Sequence, residues 1–171
     1  MHWKPPFASL FVSGFGLGLS LVLALPAHAQ DPVKHAADAG IRAQLAELDY
    51  QYELDEDNDF KLVFEVGEEG RSQIVYILSP VESYGEHRVR EIWSPGYKSP
   101  TDEFAGPIAN RLLEASNSAK LGGWVKQGRN AIFVVKIPAN AGNQVLDDAI
   151  SAASGLADAM EAELSPGTDE L

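Results

Sequence analysis

An alternation of apolar and polar residues with a period of two runs through the middle of the chain and limits the folds open to it. Tyr50 to Leu54, Phe60 to Val66, Gln73 to Ser79 and His87 to Trp93 each have the spacing of a strand. Short polar turns separate these segments, whereas parallel neighbours would need a long crossover connection. The pattern therefore predicts antiparallel pairing. The third segment is almost continuously apolar, which is typical of a strand covered on both faces or nearly so.

Three segments with a helical period of apolar residues surround these strands. The first begins at an N-cap, Asp31, and its apolar stripe continues to Leu48. The second begins at a capping box that opens with Ser99 and runs to about Asn117. The third begins at Asn143. The inner face of this last helix is predicted to consist of Val145, Ala149, Ala152, Leu156, Met160 and Leu164.

A hairpin is predicted between the second and third helices, with strands at Trp124 to Gln127 and Ala131 to Ile137. Proline and glycine residues predict a loop at 94–100. The order is then α-β-β-β(-β)-α-β-β-α, without the strand–helix–strand repeats that build a parallel sheet. We therefore predict an α+β fold, in which an antiparallel sheet of about five to six strands carries its helices on one face.

Residues 1–29 follow the plan of a secretory signal peptide, which is removed on export. Lys4 gives a positive start, Phe7 to Leu25 is apolar, and Ala27 and Ala29 form the small-residue cleavage site. The alternative is a retained membrane anchor, because the apolar run is long enough to span a bilayer. Its glycines and the cleavage site favour removal, and we predict no stable membrane insertion afterwards. We expect export to the periplasm of a Gram-negative bacterium, with the extracellular space as the alternative.

The rest of the chain has the length of one domain, predicted at 30–165, followed by a disordered acidic tail at 166–171. The formal net charge is −12 and there are no cysteines. This charge argues against a nucleic-acid partner and against anionic lipid, since both attract Lys and Arg. The lack of thiols excludes disulfides, thiolate zinc sites, iron–sulfur clusters and cysteine nucleophiles.

The only dense group of polar residues in the sequence is the acidic turn at 53–59. Asp55, Asp57 and Asp59 match the first ligand spacing of a calcium-binding loop, in which hard oxygen ligands surround the ion. Phe60 stands where glycine would permit the sharp turn, and Val66 stands where a glutamate would bind with both oxygens. The three aspartates are therefore candidate metal ligands, with a solvated hairpin turn as the alternative.

Groups suited to catalysis are scarce after the signal peptide. Two histidines remain, His35 and His87, and the sequence has no G-x-S-x-G nucleophile elbow. Ser79, Ser83 and Ser94 lie at the ends of predicted strands, where a nucleophile would need one of these histidines as its base. We predict no enzymatic activity and no cofactor.

Two tryptophans and two arginines are the candidate partner-binding residues. Trp93 and Trp124 are large enough to form a binding site, although such residues more often anchor a core or close a sheet edge. Arg88 and Arg90 lie in a basic string that can pair with an acidic partner. The alternative interpretation of this basic string is a solvated edge strand whose charges prevent aggregation.

Several strings, taken in order, resemble those of the YbjN-like family of bacterial proteins, whose domain is similar to the type III secretion chaperone fold. Together these strings cover 36–165. The first is the early helix with Asp-Asn-Asp-Phe-Lys-Leu-Val-Phe at 57–64 after it, and Arg71-Ser72-Gln73 opens the next strand. The others are Glu91-Ile92-Trp93-Ser94 and, later in the chain, Leu112 to Asn117 with Gly122-Gly123-Trp124 after it. The resemblance implies a non-enzymatic domain that contacts other proteins, related in shape to small acidic dimeric chaperones. Members of the family were named as sensory-transduction regulators. The export signal departs from the family's usual pattern and puts a cytoplasmic chaperone role in doubt.

The combined prediction is a non-enzymatic exported module that binds proteins, or acts like a chaperone, on envelope or exported proteins. Its expected partner is another protein or, as a homodimer, a second copy of the chain. The alternative is a small-ligand or weak calcium-binding domain that uses the acidic turn at 53–59.

Overall fold

The computed structural model of this chain describes residues 35–66 and 71–167. The predicted signal peptide with its cleavage residues Ala27 and Ala29 lies outside these residues, as does most of the predicted tail. The described residues form three helices, which we call α1 (Ala39–Glu47), α2 (Gly106–Ser118) and α3 (Asn143–Leu164). They also form seven strands, which are β1 (Glu53–Leu54), β2 (Phe60–Val66), β3 (Arg71–Ile77), β4 (Glu82–Tyr84), β5 (His87–Lys98), β6 (Gly123–Gln127) and β7 (Asn130–Pro138).

All seven strands join one antiparallel sheet, which confirms the predicted α+β class. The strand order is β1-β2-β3-β5-β7-β6, and β4 pairs with the first part of β5. The sheet has more strands than predicted because Glu82–Tyr84, which lies between two predicted strands, forms a hairpin with β5. Gly85 makes that turn possible with a φ of 57°, a conformation that costs glycine little.

The core lies between one face of the sheet, which we call the inner face, and the three helices. The strand register places Phe60, Ile77, Ile92 and Val135 side by side on this face, and each is at most 1% exposed. Each such side chain contributes about 1.5–3 kcal/mol by leaving water. No helix in the described part of the chain is long and apolar enough to cross a membrane.

The buried stripe of α3 is rotated from the predicted one. Val145 and Leu156 are 44% and 38% exposed, whereas Leu146 and Ile150 are buried. The sequence carries two adjacent apolar stripes, and period alone does not say which one meets the sheet. Small residues on the buried stripe let the helix approach closely; they are Ala149, Ala153 and Ala157, each fully buried.

The other two helices begin later than predicted. The N-cap of α1 is Asp38, whose carboxylate accepts hydrogen bonds from the N–H groups of Gly40 (2.8 Å) and Ile41 (3.0 Å). Residues 35–38 are not helical, and Asp31 lies outside the described residues. Ser99 does not cap α2, because its hydroxyl donates to the carbonyl oxygen of Glu103 within the preceding loop.

The segment 94–100, predicted as a loop, is mostly strand. β5 continues through Pro95 because its register with β7 shifts between Pro95 and Tyr97, and such a bulge tolerates the missing N–H of proline. Gly96 at this bulge allows close packing. A Cβ atom there would lie 2.5 Å from Cη2 of Trp124 and 2.9 Å from the carbonyl oxygen of Ala157 in α3.

Hydrogen bonds tie α1 and the residues after it to the start of α3. Gln44 Nε2 donates to the carbonyl oxygen of Ala141 (2.8 Å), and Asn143 Nδ2 donates to Glu47 Oε2 (2.7 Å). The hydroxyl of Tyr50 donates to Asp147 Oδ1 (2.6 Å). Burial, together with this bond to the Asp147 carboxylate, raises the pKa of Tyr50 to about 12. The two ends of the domain are therefore held side by side.

Candidate binding surface

The face of the sheet opposite the helices, which we call the outer face, is rich in apolar side chains. Val63 is 56% exposed and Val125 is 47% exposed, so no described element covers either end of this face. Tyr76 and Trp93 are half-buried and stand opposite each other in the β3–β5 register. The alternation along each strand places eight apolar side chains on the outer face, of which Ile132 and Val134 are buried by their neighbours. They are Val63, Ile74, Tyr76, Trp93, Pro95, Val125, Ile132 and Val134.

This uncovered face corrects one prediction. The pattern at 73–79 predicts a strand covered on both faces or nearly so, but the helices cover only its inner positions, such as Val75 and Ile77. Ile74 and Tyr76 point the other way and are half-buried. Apolar residues on both faces of a central strand were the sequence signal for a second apolar surface.

A groove of about 420 Å³ runs across the outer face, and we call it the outer groove. Its middle is apolar and aromatic, and its two ends carry opposite charge. The β1–β2 turn supplies three aspartates at one end, and Lys98, at the far end of β5, supplies a cation at the other. The side chains that line it are Asp55, Asp57, Asp59, Tyr76, Leu78, Trp93, Pro95, Lys98, Gln127, Asn130 and Ile132.

Trp93 is held in a fixed orientation within this groove. Its Nε1–H donates to Glu91 Oε2 at 2.8 Å. The other carboxylate oxygen of Glu91 forms an ion pair with Lys136 Nζ, also at 2.8 Å. Because the polar edge of the indole ring is satisfied by Glu91, Trp93 can present an ordered aromatic surface without an orphaned N–H group.

The acidic turn is built by its own carboxylates. Asp55 Oδ1 accepts hydrogen bonds from the N–H groups of Asp57 and Asp59, each at 2.9 Å, and Asp59 Oδ1 accepts from the N–H of Ser79 at 2.6 Å. Burial, aided by the negative charges of Asp55 and Asp57, raises the pKa of Asp59, and the Ser79 N–H partly offsets this effect. The exposed carboxylate of Asp57 has no hydrogen bond within the described residues.

The three aspartates do not form a metal centre in the described residues, where no group of three or more His, Asp or Glu side chains is arranged to hold a metal ion. The structure brings the aspartates together with Trp93 instead, in one groove. Calcium binding by this turn stays a prediction.

We expect calcium to change the stability of the protein very little, because Asp55 already bonds two backbone N–H groups. A few millimolar calcium should raise the melting temperature by less than about 1 °C relative to the protein with a chelator. Magnesium at the same concentration is the control. A rise of several degrees that is specific to calcium, and lost in Asp57→Asn, would support the calcium-binding alternative.

Arg90 is placed differently from Arg88, although the sequence predicts that both bind a partner. Arg88 is exposed, whereas Arg90 is only 2% exposed. Its guanidinium donates to the carbonyl oxygens of Leu78 (2.7 Å) and Ser79 (2.8 Å) and to Asp38 Oδ2 (2.5 Å). Arg90 is therefore a structural residue. Of the two arginines, only Arg88 is exposed to a partner, and it lies beside a cleft of about 740 Å³ at the end of the sheet.

The two tryptophans lie on opposite faces of the sheet and do not form a common site. Trp124 stands on the inner face, with its ring edge-to-face against Phe133 at a centroid distance of 5.4 Å. It packs against the core and against Gly96. Trp124 therefore serves the fold, and Trp93 is the tryptophan of the outer groove.

Two of the three serine candidates, Ser79 and Ser94, are used by the fold as well, whereas Ser83 is exposed in β4. The hydroxyl of Ser79 donates to the carbonyl oxygen of Asn58 (2.6 Å), and the hydroxyl of Ser94 donates to that of Ile74 (2.6 Å). Both serines are buried. Neither has the exposed hydroxyl that nucleophilic attack requires.

Sequence reasoning missed Tyr76 and Lys98 as site residues, because neither belongs to a motif and only the register places them beside Trp93 and the acidic turn. No family model and no curated protein matches the chain. The resemblance to the YbjN-like family therefore stays a prediction. A function for this chain has to be inferred from the chemistry of its outer face.

Proposed function

We propose that this protein is an exported, non-enzymatic module that binds envelope or exported proteins, in the manner of a chaperone, through its outer sheet face. The observation that carries the proposal is the apolar outer face, which no described helix covers. Its partner is another protein that lays apolar side chains on this face. Export follows from the signal peptide predicted at residues 1–29.

The composition of the outer face supports protein binding. Tryptophan and tyrosine are the residues that most often dominate binding energy, and Trp93 and Tyr76 stand together at its centre. Around them, the aliphatic side chains of Val63 and Val125 are about half exposed. Each square ångström of apolar surface that a partner covers contributes roughly 25 cal/mol before the costs of association.

The shape and charge favour a protein over the other partner classes. Small-molecule sites are concave and bury most of their ligand, whereas the outer groove is a long open channel on a sheet. Nucleic acid is disfavoured by the net charge of −12 and by the three aspartates at one end of the groove.

A photo-crosslinking amino acid placed on the outer face tests the proposal in cells. We expect the probe at Val63 or Val125 to crosslink to a defined set of exported proteins. A probe at Val145, which is 44% exposed on α3, is the control and should not crosslink to that set. Crosslinking between two copies of the chain would instead identify the partner as a second copy.

A matched pair of charge variants makes the test quantitative. For a partner recovered by crosslinking, Val63→Asp should weaken binding at least about tenfold, because it buries a carboxylate in an apolar interface. Val145→Asp makes the same change on α3 and should leave the affinity unchanged. Equal effects of the two variants, with both proteins folded by circular dichroism, would overturn the proposal.

A further inference from the structure

The outer groove has chemistry that selects one kind of partner segment. Resting on the proposed function, we propose that the groove binds an extended peptide segment that carries a lysine or arginine beside apolar residues. The cation of the segment lies at the aspartate end, and its apolar side chains lie on Trp93 and Tyr76. The partner is thus defined by a basic residue next to an apolar run.

The apolar part of the segment is recognised by the floor of the groove. Tyr76 and Trp93 face each other across two strands, and Pro95 and Ile132 continue the apolar surface toward Lys98. The hydrogen bond to Glu91 fixes the indole ring, so little side-chain freedom is lost on binding. An aromatic or aliphatic side chain therefore gains contact area at low entropic cost.

The charges at the two ends of the groove are of opposite sign, which gives the segment a direction. Asp57 offers an exposed carboxylate without a hydrogen-bond partner among the described residues, whereas Asp55 and Asp59 are partly occupied by backbone N–H groups. Lys98 is exposed at the opposite end and repels a cation. A basic residue is therefore accepted at the Asp57 end and disfavoured at the Lys98 end.

The length of the groove favours an extended segment over a single amino acid. Lys98 lies five positions beyond Trp93 in β5, which is about 16 Å at the rise of an extended strand. The acidic turn lies beyond Trp93 in the other direction, since Asp59 precedes the β2 residue that pairs with Ile77. A segment that reaches from Asp57 past Trp93 must therefore span several residues.

Three acetylated and amidated peptides test this inference. They share one apolar sequence of valine, isoleucine and phenylalanine and begin with lysine, glutamine or glutamate. By titration calorimetry at low salt we expect the lysine peptide to bind about tenfold more tightly than the glutamate peptide, with the glutamine peptide between them. Because the groove is open to solvent, the difference in affinity between the lysine and glutamate peptides should become smaller at high salt.

Two variants with the same change in charge separate a local effect from a general one. Asp57→Lys should reverse the order of the lysine and glutamate peptides. Asp102→Lys makes the identical substitution in an exposed loop outside the groove and should leave the order unchanged. Equal effects of the two variants would show that the net charge of the protein alone attracts the lysine peptide, and this result would overturn the inference.

The remaining outcomes distinguish this inference from the proposed function. Binding of all three peptides with equal affinity would overturn the basic-peptide inference and leave the docking face in place. Failure of every peptide to bind would also overturn it, and the crosslinks from Val63 and Val125 would then decide the proposed function on their own. Absence of both peptide binding and crosslinks would overturn both.

Discussion

Replacing Arg90 by methionine is expected to lower the free energy of unfolding by about 3–5 kcal/mol. The guanidinium is almost fully buried and supplies hydrogen bonds to the carbonyl oxygens of Leu78 and Ser79 and to the carboxylate of Asp38. Methionine fills similar space but donates nothing, so these acceptors lose their partner. Denaturant unfolding followed by circular dichroism measures the loss.

Arg88→Met is the matched control, because Arg88 lies two positions earlier in β5 and is exposed. It should change the free energy of unfolding by less than about 0.5 kcal/mol. Comparable losses in the two variants would contradict the assignment of Arg90 as a structural residue.

The effect of Arg90→Met should also depend on pH. Burial raises the pKa of Asp38, but the N–H of Ile41 and the guanidinium of Arg90 outweigh it and hold the pKa below its ordinary value of 3.8. Ionised Asp38 therefore stabilises the fold above that value, and the contribution is lost as the pH falls through the lower folded pKa. The difference in the free energy of unfolding between the parent protein and Arg90→Met should therefore become smaller in this acidic range.

Gly96→Ala is expected to destabilise the protein by about 2 kcal/mol and to lower its melting temperature by roughly 4–8 °C. The added Cβ would lie 2.5 Å from Trp124 and 2.9 Å from the backbone of Ala157, and neither the ring nor the helix can withdraw freely. Thermal unfolding measures the shift, and near-ultraviolet circular dichroism reports displacement of Trp124.

Gly155→Ala provides the comparison, since this glycine lies inside α3 with open space around it. Alanine should stabilise the helix there by up to about 1 kcal/mol. If Gly96→Ala were as stable as Gly155→Ala, the close approach of α3 to the bulge in β5 would be refuted.

The sequence predicted the parts of the fold that depend on local periodicity. The alternation in β2 and the β6–β7 hairpin led correctly to an antiparallel sheet with helices on one face. The passage of β5 through Pro95 and the pairing of β4 depend on partner strands distant in sequence, and no local signal reports them. The predicted starts of α1 and α2 are too early, because Asp31 and Ser99 have the sequence of an N-cap but the helices begin after Asp38 and Ala105.

The candidate site was predicted in pieces. The acidic turn and Trp93 stood out by composition, but as separate hypotheses for a metal ion and for a partner. Only the sheet register places them in one groove with Tyr76 and Lys98. Arg88 and Arg90 could not be told apart from the sequence, because arginines two positions apart in a strand lie on the same face of the sheet. What separates them is the contact of Arg90 with Asp38, a residue 52 positions away in the chain.

The hydrogen bonds between α1 and the start of α3 have a consequence for how the domain folds. They join residues 96 or 97 positions apart in the chain. Closing so long a loop is entropically costly and slow compared with forming local contacts. During synthesis, α1 therefore lacks its contacts with α3 until the last helix is made. Until α3 has been made, its core residues Leu146, Ala149 and Ile150 are missing, so the inner face of the sheet lacks the cover that they provide.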